Sequence, residues 1–170
     1  MAFAAALGGA AAACSSDDDD GADDAGPTGV EPGDPRYERD PSLDVELESR
    51  REGRASHEAG SNCMQCHQRY GPGPGQFSVA GTAYGDDGSP RPDATVRLLD
   101  AAGAVVIALE ADALGNFYST AALPLPDVEL FPRVESADAR AANAMPFGTL
   151  SGACNVCHTA ALPVVLRPVP

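Results

Sequence analysis

The chain has 170 residues, a formal net charge of −14, 5% aromatic residues and no Trp. That length holds one modest domain plus tails, and so few aromatic side chains make a core built from protein alone a thin one. All the basic residues are Arg, outnumbered by 25 Asp and Glu, which argues against nucleic acid as a partner because phosphate binding needs a basic face.

Residues Met1 to Ala13 form an Ala-rich apolar run with Phe3 and Leu7 as its large side chains, ending at Cys14-Ser15-Ser16. Small residues before such a cysteine resemble the end of a bacterial lipoprotein signal. The resemblance implies export to the periplasm or cell envelope and a membrane anchor through lipidated Cys14. Two features differ from that family: no Lys or Arg precedes the run, and Ala11 stands where a Leu is usual. A disordered Ala-rich leader is the alternative. The run is shorter than the about 20 apolar residues of a spanning helix.

From Ser15 to Pro41 the chain turns to Asp, Gly, Ala and Pro, with four consecutive acids at Asp17 to Asp20. Self-repelling charge and proline stiffness predict a disordered acidic tether. A calcium loop centred on Gly21 fails, since Ser16 and Pro27 would fill its first and twelfth positions, where acids are needed.

Residues 42–75 are expected to form a first attachment segment. Ser42 after Pro41, Leu43 and Leu47 on one face, and Glu46/Arg50 and Arg54/Glu58 at i,i+4 spacing predict a short helix over 42–58. Then comes Cys63-Met64-Gln65-Cys66-His67, a CxxCH string with the spacing that attaches a c-type haem. Cysteines three apart lie on one face of a helical turn, where two thiols can meet the two vinyl groups of one porphyrin. The following His is then held under the ring as an axial ligand. Arg50, Arg51, Arg54 and Arg69 bracket the string and suit haem propionates, or simply form a charged surface. His57 lies six residues before Cys63 and is a candidate distal ligand, with the second iron described below the easier one to reach. Met64 is tied to its own loop and is not taken as a ligand.

Gly71-Pro72-Gly73-Pro74-Gly75 marks a boundary. Residues 76–134 then change period. Phe77 to Tyr84 and Ala94 to Leu99 alternate, Val105 to Glu110 reads as a buried run, Phe117 to Thr120 follows Gly115-Asn116, and Val128 to Val134 suggests a fifth strand. Short alternating runs with regular turns predict a mainly β fold, a small antiparallel β-sandwich. The order SVAGTAY, DGSPRPDATVRLLDAAGAV, ADALGNFYS resembles the carboxypeptidase regulatory-like, or transthyretin-like (prealbumin-like), domain. That family implies a structural or adhesive module with no catalytic residues.

Residues 135–170 are expected to be a second attachment segment and tail. Ser136 to Gly152 reads as an Ala-rich connector containing Met145, a second distal candidate because a thioether is a soft iron ligand that raises a haem potential. Packing in a gap is its alternative role. The second string follows, Cys154-Asn155-Val156-Cys157-His158.

With both pentapeptides in view, the chain resembles the c-type cytochromes of small multihaem type. The resemblance implies two covalent haems c, through Cys63 and Cys66 and through Cys154 and Cys157, with His67 and His158 as proximal iron ligands. It implies two short helical haem-attachment segments flanking the sandwich, and an electron carrier that exchanges with redox partner proteins and is no enzyme. Three alternatives stay open. One iron with an open site would give peroxidase-like or gas-binding behaviour. The four cysteines suit a four-thiolate zinc site. Two disulfides would leave the sandwich as an interaction module.

Overall fold

A computed structural model describes residues 30–159 and 162–169. Cys14, the expected signal and residues 15–29 of the expected tether lie outside them.

The fold is mainly β, with two sheets and very little helix. In chain order the strands are β1 Val79–Tyr84, β2 Ala94–Leu99, β3 Val105–Glu110, β4 Asn116–Ser119, β5 Phe131–Ser136, β6 Ala141–Ala144, β7 Val164–Val165 and β8 Arg167–Pro168. One sheet has the order β4-β1-β7 and the other β3-β2-β5-β6-β8. β7 runs parallel to β1, and the other pairings are antiparallel.

β2 shows why these segments are strands. Ala94, Val96 and Leu98 are buried while Thr95, Arg97 and Leu99 are half-exposed, the period of two that puts alternate side chains on opposite faces. The Asp100 carboxylate ends it by accepting N–H bonds from Ala102 and Ala104, both at 2.9 Å. Such side-chain-to-backbone bonds make Asp a turn former. Residues from both sheets share one core cluster, among them Val79 and Phe117 from the first and Val96, Leu98, Leu109 and Val134 from the second. Each fully buried Leu or Phe stabilises by roughly 1.5–3 kcal/mol.

Four expectations are corrected. The helix over 42–58 is absent. Pro41–Leu43 forms a single 3-10 turn capped by the Asp40 side chain, not by Ser42. Beyond it the backbone extends along the free edge of β4: the Ser49 N–H donates to Tyr118 O at 3.0 Å, and the Thr120 N–H donates to Leu47 O at 2.9 Å. Pairs at i,i+4 are worth only about 0.2–0.5 kcal/mol each, less than satisfying an otherwise bare strand edge.

Second, β3 is an edge strand bonded to β2 alone, and Val105, Val106, Ala108 and Glu110 are exposed. Of its apolar run only Leu109 is buried. Third, the fifth strand begins at Phe131 rather than Val128. Fourth, the connector and the tail are built into the sheets. β6 pairs with β5, β8 with β6, and β7 with β1, with Leu166 in the core at 1% exposure.

Candidate functional site

Both CxxCH strings fold as one helical turn. Cys63–Gln65 is a 3-10 turn and Cys154–Cys157 a turn of α-helix. Local bonds repeat between them. The His67 N–H donates to Cys63 O at 3.0 Å, and the His158 N–H donates to Cys154 O at 2.8 Å. One bond earlier, Gln65 N–H reaches Asn62 O at 2.9 Å and Val156 N–H reaches Ala153 O at 3.2 Å. Each first thiol leans on the carbonyl two residues back, Cys63 Sγ on Ser61 O at 3.5 Å and Cys154 Sγ on Gly152 O at 3.6 Å.

The histidines are matched in the same way. His67 Nδ1 lies 2.7 Å from Pro74 O, and His158 Nδ1 lies 3.0 Å from Leu162 O. A carbonyl accepts only, so in each ring Nδ1 carries the proton and Nε2 keeps its lone pair. That arrangement orients a metal-ligating imidazole, its outer nitrogen fixed by a backbone carbonyl. Gly73 is needed beside the first ring, because a Cβ there would stand 2.8 Å from His67 Nδ1.

The two sites differ in burial. His67 is 7% exposed and lies flat on Phe77, with centroids 4.2 Å apart at 3°, while Phe77 lies on Tyr118 at 4.9 Å. Burial chiefly holds the His67 pKa below 6.5, and His57 and Arg39 add to that against the opposing Pro74 carbonyl. His158 is half-buried and Cys157 and Val156 are exposed. Burial also raises the Cys63 thiol pKa, and it pushes the Cys154 thiol up to about 12, helped by the nearby Cys63.

Both turns are seated on β1. Ala80 N–H donates to Gly152 O at 2.9 Å, and Ala80 bridges Ala153. Gly152 allows this approach, since a Cβ there would fall on the Ser78 carbonyl. At the next position but one stands Thr82, wholly buried. Its hydroxyl donates to Asn116 Oδ1 and accepts from Gly60 N–H at 2.9 Å and from Asn155 Nδ2 at 3.0 Å. Asn116 Nδ2 in turn donates to Ser56 Oγ and His57 O. Sequence reasoning missed Thr82, Asn116 and Asn155. The first two read as ordinary strand positions and the third as a variable position inside CxxCH.

No family model, curated protein or solved structure matches this chain. The site therefore stands on its own geometry.

The remaining candidates divide. His57 lies beside His67, with ring centroids 5.9 Å apart and planes at 28°, so it accompanies the first string. Met145 follows β6 in the five-stranded sheet, its N–H on Pro132 O at 3.1 Å. Arg51 is taken up by Glu110, Asp93 O and Thr95, and Arg50 pairs with Glu48 at 3.5 Å. Cys63, Cys154 and Cys157 carry free thiols, whereas Cys66 is disulfide-bonded. Among the described residues no three His, Cys, Asp or Glu side chains converge as a metal-binding group.

Proposed function

We propose that this chain is a dihaem c-type cytochrome that carries electrons, its two CxxCH turns seated on one strand of a small transthyretin-like β-sandwich. The observation that carries the reading is the matched pair of turns: same internal bonds, same placement of the first thiol, and in both an imidazole whose Nδ1 is fixed by a carbonyl and whose Nε2 is left to a metal. A disulfide or an interaction module has no need of that histidine geometry. The core shared by the two sheets supports the sandwich.

Cys63 and Cys66 would hold one haem and Cys154 and Cys157 the other, with His67 and His158 as the iron-binding residues. Haem c supplies a one-electron iron couple. The chain's own part is to hold the imidazoles in one tautomer, to keep His67 away from water behind Phe77, and to leave the second turn open to a partner. His57 is the proposed sixth ligand of the first iron. The ring of His57 lies 5.9 Å from that of His67, so the two would hold the same iron. The residues fit a haem except at Cys66, whose disulfide and a thioether exclude one another, so attachment requires that bond reduced first.

Export and a lipid anchor at Cys14 belong to the same proposal, as do redox proteins as partners. A second reading has one specific support. The chain has three histidines, and His57 accompanies His67, so the iron on His158 has either Met145 or an open position, the latter suiting a small-gas ligand or peroxide.

Intact mass of protein matured in a host that attaches haem c tests the reading. Two covalent haems are expected. One haem, with the cofactor on the second turn alone and the Cys66 disulfide retained, would overturn the dihaem reading. The mass of the bare chain, or of the chain plus zinc, would sink the proposal.

A further inference from the structure

We propose that Asn155, in the variable part of the second CxxCH, is a positioning residue that locks the two attachment turns in one mutual arrangement. This rests on the dihaem reading and adds to it a residue that the motif itself leaves free. Asn155 is 5% exposed and both polar atoms of its amide are bonded. Oδ1 accepts the Thr82 N–H at 3.1 Å, while Nδ2 donates to Thr82 Oγ1 at 3.0 Å and to Ser61 O at 2.8 Å. The assignment is forced, because an N–H faces the oxygen and a carbonyl faces the nitrogen.

Ser61 lies two residues before Cys63, and its carbonyl also receives the Cys63 thiol. One side chain from the second turn therefore grips the approach to the first, and both rest on the same residue of β1. Thr82 extends the grip. Its hydroxyl has one donor and two acceptor sites, filled by Asn116, Gly60 and Asn155. The lead-in segment 56–61 is thus held at Ser56, His57, Gly60 and Ser61. A buried network in which every member is satisfied specifies one arrangement, and a half-satisfied one does not.

Removing the amide leaves the Ser61 carbonyl and the Thr82 N–H without their partner, so the turns lose register while each keeps its own cysteines and histidine. The test uses matured protein and compares Asn155→Ala, the same-sized Asn155→Asp, and Val156→Ala as a control at an exposed position of the same motif. The readouts are intact mass and the haem–haem exciton couplet in Soret circular dichroism, checked by paramagnetic relaxation between the two irons.

Asn155→Ala is expected to keep two haems and lose most of the couplet, with Val156→Ala unchanged. Asn155→Asp keeps only the acceptor and is expected to lose the couplet too. It also serves as the reading if the alanine variant does not mature. A couplet unaltered in whichever of the two matures overturns the clasp while leaving the dihaem reading intact. Wild-type protein without two haems overturns that reading instead.

Discussion

At the scale of single residues, the two thiols of the second motif are unlike. Burial pushes the Cys154 thiol up to about 12, so it is far less ionised than an ordinary thiol at about pH 8, and the thiolate is the reactive form. Cys157 is exposed. In haem-free, reduced protein, iodoacetamide at that pH is expected to label Cys157 well before Cys154, as read by peptide mass spectrometry; equal rates would mean that the burial of Cys154 is wrong. The first site turns on His57. In matured protein His57→Ala is expected to keep both haems but free one position on the first iron. Carbon monoxide would then shift a reduced band that the unaltered protein leaves fixed. The motif cysteines and histidines were plain in the sequence, because chemistry demands them at fixed spacing. Thr82 and Asn155 were not, because their roles depend on partners far along the chain, such as Ser61 for Asn155.

At the scale of elements, the strands with their own alternation were legible, and those that borrow stability were not. β2 carries the expected alternation, and β1, β2 and β4 have the expected ends to within a residue or two, although β1 is buried on both faces. β6, β7 and β8 hold four, two and two residues, too few for a period to show, and they exist because β5, β1 and β6 offer free edges. The helix expected over 42–58 fails for the same reason in reverse: a locally favourable pattern loses to the edge of β4. Leu166, between β7 and β8, ties that late segment to the core. Leu166→Ala is expected to cost about 2–5 kcal/mol, measured by urea denaturation. A cost near zero would mean that the segment only rests on the surface.

At the scale of the whole molecule, the net charge of −14 bears on the proposed electron exchange. Opposite charge speeds encounter, and salt removes the advantage because the screening length shrinks to about 10 Å at 0.1 M. Stopped-flow electron exchange with cationic hexaammineruthenium should therefore slow as salt rises, while exchange with anionic ferricyanide should quicken. Identical salt responses would show that the charge lies away from the port. The placement of both turns on β1 also bears on the order of manufacture. Synthesis runs from Val79 towards Val165, so the strand and its threonine emerge long before the asparagine and the parallel neighbour that complete them. Until then the earlier pentapeptide hangs from an unfinished scaffold and lacks the bond at Ser61 that the finished fold supplies.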